Sequence, residues 1–368
     1  MYSCFCRQRN SLFCRSQGSV ILATMSTTSA LYRKYRPQTF ADVRDQDHIV
    51  SVLEGAIKKE EIPHAILFSG TRGTGKTTLA RLFASAIGTS EIDTYEIDAA
   101  SNRGIEDIRE LKEAVHTLPY ESKQKVYIID EVHMLTKEAF NALLKTLEEP
   151  PEHVVFILAT TEEEKLLDTI LSRCQVFRMH SPSRAVLALT VTDVAKKEGF
   201  ELKPEAADLI AIAADGSFRD ALGVTQKVIQ ASGDTIGSAD EVALIIGAPK
   251  TATLHKLLEG LHTKNTEQAL EAVQDAVTNA VDMKLFSRVL LEHVRAVMLL
   301  RNLPAKQDEL LAAFGTETKT KLQEWGSGSS PLNSHLLLRF LQAADMVSRS
   351  PIPHAPLEIA IIEVTAAK

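Results

Sequence analysis

One stretch limits what this chain can fold into more than any other. Gly70-Thr71-Arg72-Gly73-Thr74-Gly75-Lys76-Thr77 satisfies the spacing G-x-x-x-x-G-K-[ST]. It follows the apolar run Ala65-Ile66-Leu67-Phe68 and opens a helical pattern that begins near Lys76. Glycines at this spacing let successive backbone N–H groups turn inward around phosphate oxygens, and the helix adds its positive N-terminal end. Lys76 is then placed to neutralise the β- and γ-phosphates of a nucleotide, and the Thr77 hydroxyl to hold Mg²⁺. The binding loop is expected to run from Gly70 through Thr71, Arg72, Gly73, Thr74 and Gly75 to Lys76, Thr77 and Thr78. A glycine-rich turn with no ligand is the bland alternative, and the flanking strand and helix argue against it.

The rest of the first half agrees with a parallel α/β sheet, because short apolar runs alternate with helical patterns. Val126-Tyr127-Ile128-Ile129 and Val154-Val155-Phe156-Ile157-Leu158-Ala159 read as buried strands, and Tyr95-Glu96-Ile97 as a shorter one. Segments 105–115 and 137–147 read as helices, the second stopped by Pro150-Pro151. The second buried strand ends in Asp130-Glu131, two acids at the crevice where such sheets bind ligands. Asp130 suits water-mediated Mg²⁺ binding, and Glu131 suits orienting and deprotonating an attacking water. Thr160-Thr161 ends the next strand and offers a hydroxyl to position that water or sense the γ-phosphate; a helix cap is the competing reading. Arg173 and Arg219 each read alone as surface ion pairs. Phosphoryl transfer gives them a second use, since charge develops on the γ-phosphate that an inserted arginine stabilises.

After Ser181-Pro182 the strands cease. Segments near 183–198, 204–214, 217–230 and 238–246 read as a small helical bundle, with Pro204 at a helix start. A further all-helical region follows, in which Phe286, Val289, Leu290, Val294 and Val297 mark one face at helical spacing. Gly326-Ser327-Gly328-Ser329-Ser330 reads as a loop between helices. The expected organisation is an α/β domain at 25–180, a helical lid at 181–248 and a helical collar at 249–368. The 48 acidic against 41 basic residues, a formal charge of −7, exclude a uniformly basic nucleic-acid binder but not a local basic stripe. No apolar run approaches the roughly 18 residues that span a bilayer.

Three of the four cysteines, Cys4, Cys6 and Cys14, precede residue 15, leaving Cys174 for the body and excluding a disulfide framework there. No Asp or Glu precedes Asp42. Residues 1–24 are therefore expected to be disordered, or to precede a true start at Met25; an organellar transit peptide and a genuine extension are the other readings.

A set of motifs occurs in order: Leu31-Tyr32-Arg33-Lys34-Tyr35-Arg36-Pro37-Gln38-Thr39-Phe40, the glycine loop, Asp130-Glu131-Val132-His133-Met134-Leu135, Phe140-Asn141-Ala142-Leu143-Leu144-Lys145-Thr146-Leu147-Glu148-Glu149-Pro150, and Ser172-Arg173-Cys174. Pro353-His354-Ala355-Pro356-Leu357-Glu358-Ile359-Ala360 closes the series. From residue 30 onward the chain resembles the gamma/tau subunit family of bacterial DNA polymerase III, the motor of the clamp loader. The resemblance implies a P-loop AAA+ ATPase that opens a sliding clamp and loads it on primed DNA. It assigns Lys76, Thr77, Asp130 and Glu131 to the chain's own ATP and Mg²⁺, with Thr161 and Arg219 as first and second sensors. It makes Arg173 a finger reaching a neighbouring subunit's ATP in trans, and puts Tyr32, Arg36 and Pro37 near the base. The implied partners are delta- and delta-prime-type subunits, further gamma/tau copies, the clamp and primer-template DNA, in the cytoplasm and away from membranes. Ser101-Asn102-Arg103-Gly104 sits where the family tracks DNA, although a plain helix cap serves equally well.

Three departures from the family pattern stand out. The usual four-cysteine zinc module is replaced by residues 88–94, which contain no cysteine, so no zinc is expected. Asp45 stands where glycine is usual, which touches the base pocket. The chain ends at the collar, so the long form's tethering of polymerase and helicase is not expected. Competing functions are another AAA+ machine, such as a replication factor C-like subunit or a branch-migration motor, and a scaffold that binds nucleotide without turnover. His133 lacks a second ligand at metal spacing and reads as a packing or hydrogen-bonding residue. Glu162-Glu163-Glu164 reads as a solvated, helix-starting face, and Cys174 as a small buried residue.

Overall fold

The computed structural model describes residues 29–102, 104–232, 238–312, 314–327 and 330–366. Segment 1–24, Arg103, and Gly328 and Ser329 of the expected loop lie outside the described residues. Five strands, β1 (Ala65–Ser69), β2 (Thr94–Asp98), β3 (Lys125–Asp130), β4 (Val154–Thr160) and β5 (Gln175–Arg178), form one sheet in the order β2-β3-β4-β1-β5. Every pairing is parallel. Helices α1 (Leu31–Lys34), α2 (Asp47–Lys59), α3 (Lys76–Ala86), α4 (Ile105–Val115), α5 (Lys137–Glu148) and α6 (Asp168–Leu171) accompany it.

β1 and β4 are buried along their whole length and β3 up to its last residue, which is why they read as continuous apolar runs. Alternate side chains serve opposite faces. Ala65 and Leu67 join Tyr127, Ile129, Phe156 and Leu158 on one side. Ile66 and Phe68 join Ile128, Ile157 and the α3 residues Leu79 and Phe83 on the other. Each large side chain buried this way contributes on the order of 1.5–3 kcal/mol. β5 carries no such signal. Its Gln175-Val176-Phe177-Arg178 pattern is half polar because it is an edge strand, and only Phe177 is buried.

Residues 88–94 are tied to the turn before β3 by Asp93. Its buried carboxylate accepts the backbone N–H groups of Tyr120, Glu121 and Ser122 at 2.6, 2.9 and 2.7 Å. Burial alone raises its pKa, but those N–H groups outweigh it and hold the carboxyl well below the usual carboxylate range.

The helical half begins with α7 (Arg184–Lys197), α8 (Pro204–Ala213), α9 (Phe218–Ala231) and α10 (Ala239–Ile246). It continues through α11 (Thr251–His262), α12 (Thr266–Thr278), α13 (Met283–Asn302), α14 (Gln307–Leu311), α15 (Thr316–Gly326), α16 (Ser334–Val347) and α17 (Ala355–Ala366). Starts and stops follow the chemistry of the ends. Ser183 and Ser217 cap α7 and α9 through their hydroxyls, Pro204 begins α8, and Gly247 closes α10 at φ +70°. Phe286, Val289, Leu290, Val294 and Val297 of α13 are all buried. One apolar core runs unbroken from Leu187 to Ile361, so the helices on both sides of residue 248 share it. A small separate cluster of Leu31, Val194 and Leu222 ties α1 to α7 and α9.

Candidate active site

The crevice at the C-terminal ends of β1 and β3 has a volume of about 480 Å³. Parallel pairing puts β4 between these two strands, so three loops from distant parts of the sequence converge there. The floor is the loop joining β1 to α3. Gly73 adopts φ +79° and touches the start of α9 so closely that a Cβ would fall 1.9 Å from Ser217 Oγ. The Phe218 N–H donates to the Gly73 carbonyl at 3.0 Å. This clasp fixes Arg219, the next residue on α9, over the loop, with its guanidinium 5.8 Å from the centre of the Tyr32 ring.

Lys76 is buried, and its ammonium donates to the carbonyls of Gly70 and Thr71 at 2.8 and 2.9 Å. Burial pulls its pKa down, Arg219 adds to that, and Glu131 and Asp130 oppose it. Thr77 Oγ1 donates to Asp130 Oδ2 at 2.6 Å. Two hard oxygens from separate elements thus meet beside a buried ammonium, a donor set that fits Mg²⁺ next to phosphate. Arg36 is held below its usual pKa by burial and then by the cations Arg81, Arg219 and Arg33, with Glu96 opposing. Such crowded positive charge favours a polyanion.

Glu131 sits at φ +49°, an uncommon conformation for a residue with a side chain, and turns the chain into a 3₁₀ turn, Val132–Met134. Its Oε2 accepts from the Thr161 hydroxyl at 2.9 Å and the Thr161 N–H at 3.3 Å. Thr160 bonds elsewhere. Its Oγ1 accepts the Glu162 N–H at 3.0 Å and bonds His133 Nδ1 at 3.0 Å; the short 3₁₀ helix that follows, Glu163–Lys165, begins at Glu162 with no side-chain cap.

Tyr32, Arg36, Pro37, Arg72, Gly73, Thr74, Gly75, Lys76, Thr77, Thr78, Asp130, Glu131 and Arg219 all line the crevice. Gly70, Thr71 and Thr161 stand behind that lining, the first two holding Lys76 and the third Glu131. Arg173 stands apart. It pairs with Glu148 at 2.5 Å and donates to the Thr169 carbonyl at 2.7 Å. Sequence reasoning missed Arg44, Thr190, Asp193 and Lys197, which close the far wall. Arg44 pairs with Asp193 of α7 at 2.6 Å, and no local pattern marks either residue. Asp45 does not line the crevice. It adopts φ +61°, the left-handed backbone that glycine favours, and its carboxylate accepts the Ser183 N–H at 2.8 Å. Glu162-Glu163-Glu164 is less solvated than its composition implies, because Glu163 accepts from Ser69 at 2.6 Å and pairs with Arg178 at 2.6 Å. Cys174 is half-buried, and burial pushes its thiol up to about 11. Among the described residues, no group of three or more His, Cys, Asp or Glu could hold a metal ion, and no helix is long and apolar enough to cross a membrane.

Comparisons with known proteins point one way. The family model described as DNA polymerase III, delta subunit, matches residues 89–183. The clamp loader subunit ATPase lid domain matches 188–234, and domain III of the gamma and tau subunits matches 238–368. The tau subunit of Bacillus subtilis DNA polymerase III is 39% identical over 80% of this chain and 56% of that protein. The Escherichia coli tau subunit is 35% identical over 91% of this chain and 54% of that protein. The chain spans about half the length of the curated relatives it matches. A RuvB variant from Thermotoga maritima, at TM-score 0.50 and 19% identity, covers 78% of this chain and 87% of its own, a likeness of fold alone. On the strength of its three consecutive matching domains and these relatives, the chain belongs to the gamma/tau family of DNA polymerase III subunits.

Proposed function

We propose that this chain is an ATP-hydrolysing motor subunit of a clamp loader, which opens a ring-shaped sliding clamp and places it on primed DNA. The observation that carries the reading is the Thr77–Asp130 hydrogen bond inside a basic crevice closed by Arg219. Lys76 and the loop N–H groups bind and orient the phosphates, trading the Gly70 and Thr71 carbonyls for phosphate oxygens. Thr77 and Asp130 hold Mg²⁺, which when bound neutralises charge on the transferring phosphate. Glu131 takes the proton of the attacking water, and Thr161 fixes the carboxylate for it. Arg219 is the second sensor, bringing α9 onto the nucleotide. Arg173 serves a neighbouring subunit's ATP; its position outside its own crevice, with a third of its side chain exposed, supports that role.

The assembly proposed combines further gamma/tau copies, delta- and delta-prime-type subunits, the clamp and primer-template DNA, working in the cytoplasm. Residues 353–360 and the domain III match favour this over another AAA+ DNA motor. Arg173→Ala in every copy tests the reading. Nucleotide binding should persist while turnover stimulated by clamp and primed DNA falls by about 10³-fold, the scale of an arginine finger. Unchanged stimulated turnover removes the finger, and a parent chain with no turnover leaves only a nucleotide-binding scaffold.

A further inference from the structure

We infer that His133 is a positioning residue for hydrolysis: it braces the Glu131 carboxylate, so that one oxygen is clamped and the other is aimed at water. The inference rests on the ATPase reading above. The His133 side chain is only 5% exposed, and the 3₁₀ turn that follows Glu131 carries its ring to within 3.5 Å of the acid. Its Nδ1 lies 3.0 Å from Thr160 Oγ1 and 3.5 Å from Glu131 Oε2, and its Nε2 lies 3.3 Å from Glu162 Oε1. A buried imidazole left without partners is costly, so these contacts hold the ring in one orientation.

The described bonds to the Glu131 carboxylate from Thr161 and the approach of His133 all end on Oε2. With the Thr161 bonds and the His133 ring all at Oε2, Oε1 is left as the atom that accepts the water's proton. The left-handed backbone of Glu131 supports this role. That conformation is uncommon for a residue with a side chain and survives only where the surroundings impose it. Here it is held by the Met134 N–H donating to the Glu131 carbonyl at 2.8 Å and by the Glu131 N–H donating to Asp130 Oδ1 at 3.0 Å. The result is that the acid and its brace lie against the same end of β4. The brace also leads outward. Glu162, its far partner, pairs with Lys165 at 2.5 Å on the surface.

The test uses the full chain and steady-state ATP hydrolysis. His133→Phe fills the space without polar atoms, and His133→Asn keeps an amide where Nδ1 stands. His133→Phe should lower kcat by about tenfold or more, leaving KM for ATP and the affinity for a fluorescent ATP analogue within about twofold. His133→Asn should recover a large part of the lost kcat. A kcat for His133→Phe within about twofold of the parent overturns the inference. So does equal loss in both variants with KM rising in step, which marks packing alone. A parent chain that binds the analogue but does not turn over overturns the ATPase reading itself, and the inference with it.

Discussion

Gly73→Ala separates the loop's nucleotide chemistry from its mechanical tie to α9. The new Cβ arrives 1.9 Å from Ser217 Oγ and 2.8 Å from Ser217 Cβ, on backbone at φ +79°. The left-handed conformation alone costs a residue with a side chain about 1 kcal/mol. Relieving the clash moves Ser217, which caps α9 by accepting the Asp220 N–H at 3.1 Å. Losing that cap costs about 1 kcal/mol. The same movement breaks the Phe218 N–H bond to the Gly73 carbonyl, worth about 1 kcal/mol more. Altogether about 3 kcal/mol acts against the clasp, about a hundredfold in its equilibrium. Because the clasp holds Arg219 over the loop, affinity for a fluorescent ATP analogue should fall towards that limit. Ser217→Gly in the Gly73→Ala background removes the clashing atoms, so the two effects should fall well short of adding. An affinity for Gly73→Ala within about threefold of the parent, or strict additivity in the double variant, refutes the reasoning.

Glu131→Gln should leave analogue binding intact and cut kcat by about 10² or more, whereas Lys76→Ala should weaken binding itself by a similar factor; parallel titrations and turnover assays separate them. Acid sensitivity should trace to His293. Burial pushes its imidazole down from 6.5 to about 4, with Arg184 and His255 adding to that and the Val289 carbonyl opposing. The folded state binds that proton less readily than the unfolded one. The stabilisation is therefore complete above about pH 6.5 and is lost, up to about 3 kcal/mol, as pH falls towards 4. His293→Leu should flatten the melting temperature across that range, and an identical slope in both proteins excludes His293 as the cause.

Much of the site was legible because its chemistry is local. A phosphate-binding loop needs its glycines and lysine within eight residues, and Thr77 and Asp130 each end a continuous apolar strand or open a helix. What escaped the sequence is polar and scattered. β5 is an edge strand with half its side chains in water, so no hydrophobic run announces it. Arg44 and Asp193 form a wall only because α7 folds back over residue 44. Glu163 reads as a solvated acid until Ser69 and Arg178 are found beside it. Asp45 reads as a disturbance of the base pocket, yet its carboxylate holds the first turn of α7.

The sequence by itself determined that the chain builds a parallel α/β sheet with a phosphate loop, followed by helices. Apolar periodicity and the glycine spacing are properties of neighbouring residues and need no fold to be read. Only the tertiary structure decided which carboxylate oxygen is held and by what. The strand order puts β4 between β1 and β3, and that single placement brings Thr160 and Thr161 against Glu131 and His133. Strand order is set by how whole helices cover the two faces of the sheet, a long-range balance of burial that no local pattern encodes.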